Sequence, residues 1–296
     1  MDWDDLKFAF AVARHGSLSA AARVLGTTQP TVSRRLDGLE RRIGVKLFER
    51  GASGLSPTPL CAALVDGLQR MEDGALAVER RIAARDTGLQ GAISVTSLDW
   101  LGDGVIAPIA ARFGALHPLV AVELLVEPRV FNLSRREADI AFRFGPFQQE
   151  DLVERKVAEI GYGLYAAPAY LDRHGKPDFA TGCAGHAVVT MYEFAGRPVQ
   201  SVWLQATAPA ARVILRSSGL GSQLAAAEAG VAMAALPRLL GDARATLRRI
   251  DTPLPGPTQP VRMGVHADLR DVPRIRAFID FAVAMLKTRA AELNPA

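Results

Sequence analysis

The chain has 296 residues, of which 49% are hydrophobic and 22% charged, which excludes a disordered protein and fits two or three packed domains. Its net charge is only +4, but residues 1–58 hold nine basic and six acidic side chains, so most of the positive excess lies near the N-terminus. Two widely separated cysteines exclude a disulfide framework, no apolar run is long enough to cross a membrane, and the acidic start is unlike a signal peptide. These observations predict a cytoplasmic protein without a membrane partner.

Three short helices are predicted at the start of the chain. The first ends at Gly16, and Ser19 is placed to cap a second helix over residues 20–25. Thr28 is the N-cap candidate of a third helix, which Gly44 ends. The third helix has an apolar face of Val32, Leu36, Leu39 and Ile43 and a polar face of Ser33, Arg34, Asp37 and Arg41.

Two short helices joined by a tight turn are typical of a helix-turn-helix, whose second helix places its N-terminus in the DNA major groove. Near that N-terminus, Gln29, Ser33 and Arg34 come within reach of base edges. Glutamine suits adenine, arginine suits guanine, and serine suits either a base or a phosphate. An ordinary surface helix with a solvated basic face is the alternative that the spacing leaves open.

Three ungapped blocks carry a more specific signal. They are Ser17-Leu18-Ser19-x-Ala21-Ala22-x-x-Leu25, Thr28-Gln29-Pro30-Thr31-Val32-Ser33-Arg34-x-Leu36-x-x-Leu39-Glu40 and Gly44-Val45-x-Leu47-Phe48-x-Arg50. This pattern resembles the helix-turn-helix of the LysR-type transcriptional regulators and implies an all-α winged helix-turn-helix domain over residues 1–58. The DNA contacts that the resemblance implies are Thr28, Gln29, Pro30, Thr31, Ser33, Arg34, Arg35 and Arg50.

The predicted wing departs from the family pattern. Residues 51–57 contain no basic side chain, although the family often has one there, and the common Thr-Pro-Ala-Gly is replaced by Thr-Pro-Leu-Cys at residues 58–61. Fewer phosphate contacts from the wing would lower the salt dependence of DNA binding.

A long linker helix is predicted from Pro59, with Thr58 as its N-cap. Apolar residues recur along it at alternating spacings of three and four, which is typical of a coiled-coil seam. They are Leu64, Leu68, Met71, Ala75, Val78 and Ile82. Packing of this seam on its own domain is the alternative. The resemblance implies a dimerisation helix at residues 59–89, a homodimer or homotetramer, and a partly palindromic double-stranded DNA target.

After residue 90 apolar strands alternate with helices, which predicts an α/β architecture with mainly parallel sheets. The predicted strands cover residues 93–96, 120–125, 138–143, 162–166, 187–191, 212–215, 232–236 and 261–266, and the predicted helices cover 105–113, 220–229 and 273–286. Residues 90–296 fit two similar lobes better than one, with residues 90–163 and 265–296 in the first and 164–264 in the second.

Polar and aromatic residues gather where the predicted strands end. Ligands of α/β folds bind at the carboxyl ends of strands, so Ser97 and Ser218 are placed to bind a carboxylate or another small anion. Helix capping alone is the alternative for each serine. The stretches 137–143 and 229–237 resemble the family's effector domain, which implies a two-lobed, periplasmic-binding-protein-like fold with a small-molecule effector between its lobes. The candidate effector residues are Ser97, Leu98, Trp100, Arg143, Phe144, Tyr192 and Ser218.

The sequence contains no pattern that is typical of an enzyme. Its five histidines show no metal-ligand spacing, and neither Ser97 nor Ser218 lies in a nucleophile motif, so we expect no catalytic residue, metal or cofactor. The chain is identified as a ligand-responsive, sequence-specific transcriptional regulator of the LysR type, with DNA, an effector, its own copies and RNA polymerase as expected partners. The alternative is a small-molecule-binding or nucleoid-type DNA-binding protein without regulatory coupling.

Overall fold

The computed structural model describes residues 3–51, 54–83, 88–127, 129, 131–192 and 198–294. The chain divides into two compact units, Met1–Ile82 and Ala83–Ala296. The finer limits predicted at residues 58 and 89 stay predictions.

The first unit begins with three helices, α1 (Trp3–His15), α2 (Leu18–Val24) and α3 (Gln29–Ile43). The predicted cap at Ser19 is wrong: the N-cap of α2 is Ser17, whose Oγ accepts a hydrogen bond from the Ala20 N–H at 3.1 Å. Ser17 has the extended backbone that an N-cap requires, whereas Ser19 already lies within the helix.

A two-stranded hairpin follows α3, which Gly44 ends in the left-handed conformation at φ +73° as predicted. Strands β1 (Phe48–Gly51) and β2 (Gly54–Pro57) pair antiparallel and form the predicted wing. The apolar faces of the three helices meet in one core with the start of the wing. Its buried members include Leu6, Phe10, Val32, Leu36, Leu39, Leu47 and Phe48.

Helix α4 (Pro59–Ala83) carries the apolar residues that were predicted to form a coiled-coil seam, and some of them are buried while others are exposed. Leu68 is buried in the core of the first unit, so at this position the helix packs on its own domain. Leu64, Met71 and Val78 are instead 39%, 47% and 57% exposed. The side chain of Ile82 lies outside the described part of the structure.

The second unit is built on one nine-stranded sheet. Its strands are β3 (Gly91–Ser97), β4 (Val120–Val126), β5 (Ile140–Phe144), β6 (Leu152–Ala166), β7 (Ala187–Met191), β8 (Arg212–Ser217), β9 (Met233–Pro237), β10 (Arg248–Ile250) and β11 (Thr258–His266). The order across the sheet is β4-β3-β5-β11-β6-β9-β7-β8, and β10 pairs with β6. We call the part built on β4, β3 and β5 lobe I and the part built on β9, β7 and β8 lobe II.

The prediction of mainly parallel sheets is correct only for the outer strands. Within lobe I and within lobe II the strands are parallel, but β11 and β6 between them run antiparallel to their neighbours. Strand β6 pairs with β11 along its first part and with β9 along its last part, so it runs from lobe I into lobe II. Its first half was not predicted because Glu154, Arg155 and Lys156 interrupt the apolar pattern.

Helices pack on both faces of the sheet, and each lobe has its own hydrophobic core. They are α5 (Asp99–Leu101), continued by a π-helical turn (Gly102–Ile106), then α6 (Ala107–Leu116), α7 (Pro168–His174), α8 (Val199–Thr207), α9 (Leu220–Glu228), α10 (Arg238–Gly241), α11 (Pro273–Thr288) and α12 (Ala290–Leu293). In lobe I, Phe113 and Phe278 pack edge to face over the strands. In lobe II, α8 covers one face of the sheet with Leu204, and α9 covers the other with Leu224. Among the described residues, no helix is long and apolar enough to span a membrane.

Candidate nucleic-acid interface and effector site

The first turn of α3 is the most open part of the helix-turn-helix. Thr28 has the extended backbone of an N-cap but makes no side-chain capping bond, and its Oγ1 lies 2.9 Å from Oγ1 of Thr31. Gln29 and Pro30 follow as the first two helical residues, and both are exposed. A helix N-terminus without a side-chain cap attracts anions, because its N–H groups and the helix dipole both favour negative charge.

Gln29 is held by the helix that precedes it. The Ser19 hydroxyl donates a hydrogen bond to Oε1 of Gln29 at 2.8 Å. Sequence reasoning gave Ser19 the role of a helix cap and missed this bond, which links residues from two helices. The bond fixes one orientation of a side chain that was predicted to contact a base.

The two neighbouring arginines of α3 have different surroundings. Arg34 is exposed, and its Nε makes a long bond of 3.4 Å to the Pro30 carbonyl, so the rest of its guanidinium faces solvent. Arg35 lies on the α1 side, where it donates to Oδ1 of Asp5 at 3.2 Å and stands 5.7 Å over the ring of Phe8. This arrangement favours a structural role for Arg35 and leaves Arg34 for contact with DNA.

Asp5 is a buried carboxylate that ties α1 to α3. It accepts a hydrogen bond from Arg35 and another from Arg42, and each of these two contacts is also a salt bridge. The hydrogen bond from Arg42 lowers the pKa of Asp5, burial raises it, and the hydrogen bond from Arg35 lowers it further. Together they hold the pKa of Asp5 below its usual value. The carboxylate is therefore charged at neutral pH and holds the third helix in place.

Glu40 fixes the wing to α3. Its Oε1 accepts the N–H groups of Leu47 and Phe48 at 2.8 and 3.1 Å, and its Oε2 lies 2.5 Å from Nζ of Lys46. Burial raises the pKa of Glu40, but the bonds from Lys46 and the two N–H groups outweigh it and hold the pKa below its usual value. The sequence signal was a charged residue four positions after Leu36, within the apolar face of the helix.

A crevice of about 500 Å³ separates α3 from the wing. Ser33 and Asp37 line it from the helix, and Glu49 lines it from β1. Glu40 and Lys46 also line the crevice, so its walls carry both acidic and basic side chains. Thr31 is half-buried beside this region, and Arg50 lies in β1, with its side chain outside the described part. The tip of the wing, residues 52–53, also lies outside the described residues.

In the second unit, Ser97 has an unusual hydroxyl. It is the last residue of β3 and only 4% exposed, and within the described ranges its Oγ has no hydrogen-bond partner. Gly102 passes close to it, because a Cβ added at Gly102 would lie 3.5 Å from Cβ of Ser97. A buried hydroxyl without a partner costs about 1–3 kcal/mol and indicates a place for a ligand or water.

The residues after Ser97 lie where the two lobes meet. Trp100 packs against the core of lobe I and against the α9 side of lobe II. Its ring stacks on Phe144, with centroids 5.8 Å apart. Asp99 approaches Gly219, where an added Cβ would lie 3.7 Å from its Oδ2. The structure therefore brings together the two predicted ligand-binding loops, and Asp99 and Gly219 are members of the junction that sequence reasoning missed.

The capping alternative does not hold for either serine. The N-cap residues of α5 and α9 are Leu98 and Gly219. Ser217, not Ser218, bonds the Gly219 N–H, at 3.2 Å, and Ser218 is exposed. Tyr192 follows β7 beside this turn, is exposed, and donates its N–H to the Ser217 carbonyl at 2.9 Å.

Arg143 and Ser97 line one small pocket, together with Leu98. Phe142 and Phe144 belong to the lobe I core that also holds the Ser97 side of β3, and strand alternation turns Arg143 to the opposite face. There it donates to the Pro146 carbonyl at 2.7 Å and lies 3.8 Å over the ring of Phe147. Burial lowers the pKa of Arg143. Arg143 as an effector-binding residue stays a prediction.

The described residues hold no group of three or more histidine, cysteine, aspartate or glutamate side chains that could bind a metal ion.

Comparison with known proteins places both units in one family. The family model described as bacterial regulatory helix-turn-helix protein, lysR family, matches residues 3–62. The model described as LysR substrate binding domain matches residues 86–287.

Individual proteins are similar over part or all of the chain. The HTH-type transcriptional regulator CrgA of Neisseria meningitidis serogroup B is 32% identical over 183 residues, which cover 62% of this chain and 61% of CrgA. The full-length structure of the Vibrio cholerae virulence activator AphB has a TM-score of 0.66 at 22% identity and covers 96% of this chain and 99% of that one. Full-length CbnR in complex with its target DNA has a TM-score of 0.58 at 21% identity, with coverage of 96% and 100%. The chain spans about half to two thirds of the length of the curated relatives it matches.

Proposed function

The chain belongs to the LysR family of transcriptional regulators, and from this premise we propose that it binds double-stranded DNA sequence-specifically and regulates transcription. The observation that carries the proposal is the first turn of α3, where Gln29 is held by Ser19 and Arg34 is open to solvent. The members of this family are transcriptional regulators rather than enzymes, and we assign no catalytic step to this chain. DNA as the target makes the cytoplasm the proposed site of action.

Recognition rests on the placement of a few side chains more than on bulk charge. The net charge is small, and residues 51–57 of the wing contain no basic side chain. Gln29, Ser33 and Arg34 therefore read the bases, and Thr28, Pro30 and Thr31 approach the phosphates at the helix N-terminus. Arg35 supports the domain through Asp5.

A dimer would present two such helices to two half-sites. Leu64, Met71 and Val78 form an exposed apolar stripe on α4, which is the proposed contact with a second copy. The half-sites of a partly palindromic target follow from the two-fold symmetry of that dimer. The CbnR structure, which holds target DNA, supports DNA as the partner of this fold. A homotetramer and contact with RNA polymerase are further parts of the proposal.

We place the effector at the junction of the lobes. The unpartnered Ser97 hydroxyl, the stacked Trp100 and Phe144, and the exposed Tyr192 and Ser218 approach this region from both lobes. Hydroxyl groups beside aromatic rings suit a small anion with an apolar body. Leu98 supports the site from the lobe I core. Binding there would favour one arrangement of the lobes and so alter how the dimer contacts DNA.

The test is footprinting of the full chain on the DNA upstream of its own and neighbouring genes, at fixed salt and with a panel of metabolites. Arg34→Ala should remove the footprint and weaken specific binding by about 1–3 kcal/mol, because one bidentate base contact is lost. Arg70→Ala, an exposed arginine on α4, is the matched control and should leave the footprint intact.

Unchanged specific affinity in Arg34→Ala would show that α3 is not the recognition helix. A footprint that no metabolite alters, without any change in transcription of the adjacent genes, would instead favour a nucleoid-type DNA-binding protein without regulatory coupling.

A further inference from the structure

Lobe II contains a cavity that is separate from the junction of the lobes. It has a volume of about 140 Å³ and lies between α8 and the edge formed by β7 and β8. Its wall includes Val188, Leu204 and Val213, and its polar side includes Thr190, Ser201 and Arg216. None of the candidate effector residues lines it, so the proposed function does not account for it.

A β-bulge directs Arg216 to this cavity. Val188 pairs with Val213, but the next residue of β7, Val189, pairs with Leu215, so Ile214 is an extra residue in β8. Strict alternation after Val213 would have turned Arg216 to the α9 face of the sheet. The extra residue restores Arg216 to the α8 face, because a bulge shifts the alternation by one position.

The polar end of the cavity offers hydrogen-bond donors, and no carboxylate of the described residues lines it. Arg216 is exposed, and no described residue forms a hydrogen bond or an ion pair with its guanidinium. Ser201, which is 8% exposed, accepts a hydrogen bond from Thr190 at 3.1 Å, and within the described part of the chain its own hydroxyl hydrogen has no acceptor. An arginine and a serine hydroxyl are together a suitable pair for a carboxylate.

The opposite end of the cavity is apolar. Val188 and Leu204 are buried, and Ala208 closes the cavity beside them. A cavity of about 150 Å³ with aliphatic walls holds a molecule of benzene. We propose that lobe II has a second ligand site, which binds a small carboxylate with a compact apolar body of about the size of one aromatic ring.

The test uses 4-fluorobenzoate as the probe and the full chain without DNA, with binding followed by fluorine NMR and calorimetry. Arg216→Leu should weaken binding by about tenfold or more, because a charge-assisted hydrogen bond to the carboxylate is lost. Ser201→Val should also weaken it. Arg212→Leu should not, because this exposed arginine pairs opposite Ala187, on the α9 face of the same strand.

Two further measurements keep the result decisive. Fluorobenzene, which has the same body without the charge, should bind wild type and Arg216→Leu equally. The thermal midpoints of Arg216→Leu and Arg212→Leu should agree, which shows that both variants fold.

Equal affinity of wild type and Arg216→Leu for 4-fluorobenzoate would overturn the proposal. So would loss of binding in Ser97→Val alone, which would place the probe at the junction of the lobes. Neither result depends on DNA binding, so the site can fail without affecting the proposed function.

Discussion

At residue scale, one carboxylate connects α3 with the wing. Glu40 accepts two backbone N–H groups from residues 47 and 48 and pairs with Lys46. Hydrogen bonds to a buried charged group contribute about 1.5–3 kcal/mol, more than neutral ones. The position of the wing relative to α3 therefore depends on a buried side chain.

We predict that Glu40→Gln loosens the start of the wing. The neutral amide keeps the shape but loses the charge that strengthens the bonds from Leu47 and Phe48, so hydrogen exchange of these two N–H groups should be faster by about tenfold or more. Peptide-level hydrogen–deuterium exchange measures this. Glu49→Gln, a neighbouring exposed carboxylate, is the control and should leave the exchange unchanged. Equal protection in wild type and Glu40→Gln would contradict the assigned role.

At element scale, α7 is bonded to the start of β7. The Tyr170 hydroxyl accepts the Ala187 N–H at 2.8 Å and lies 3.2 Å from Nδ1 of His186. The ring of Tyr170 stacks on His174 at 4.6 Å, and the two histidine rings are 6.2 Å apart. Burial lowers the pKa of His186, and the nearby His174 lowers it further.

This cluster predicts a pH-dependent stability of lobe II. Because the folded pKa of His186 lies below its ordinary value of 6.5, folding favours the neutral ring. The stabilisation is complete above pH 6.5 and is lost as the pH falls through the folded pKa. Calorimetry between pH 7.5 and pH 5 should show a fall of about 2–4 °C in Tm that His186→Gln reduces.

His117→Gln is the matched control for that measurement. His117 lies in lobe I, where it packs on Phe113 and where no described residue links it to the α7 cluster. Its variant should keep the wild-type pH dependence. An identical pH dependence of Tm in wild type and His186→Gln would contradict the assignment to His186.

At the scale of the whole molecule, the proposed activity depends on two copies of the chain. The exposed stripe on α4 lies directly beside Cys61 and Leu68, through which the same helix packs on its own domain. A helix with a broad apolar surface can contribute to a core along one edge of that surface and to an interface along the other edge. Two-fold symmetry then supplies two recognition helices for one DNA site.

We predict that Met71→Glu prevents dimer formation. A charge buried without a partner in an apolar interface costs several kcal/mol, so the dissociation constant of the dimer should rise by about a hundredfold or more. Light scattering after size-exclusion chromatography gives the mass at several concentrations. Ala62→Glu places the same charge on an exposed position on the opposite face of α4 and should leave the mass unchanged. A Met71→Glu protein with wild-type mass would exclude this stripe as the interface.

The sequence by itself determined the features that depend on local periodicity. The spacing of Val32, Leu36 and Leu39 specifies one buried face of α3, and Gly44 ends the helix, because side chains three and four positions apart share a helix face. The alternation of strands and helices after residue 90 likewise predicted an α/β unit. The ordered match in the first sixty residues predicted the family, which comparison confirmed.

Only the tertiary structure decided the features that join distant residues. Asp5 binds Arg35 on the α1 side of α3, and Ser19 bonds Gln29 instead of capping α2. The Pro146 carbonyl and the ring of Phe147 hold the guanidinium of Arg143. The antiparallel pairing of β6 with β11 joins residues about a hundred positions apart. Neither partner's local pattern specifies such a pairing, because its stabilisation comes from contacts that form only when the chain has folded.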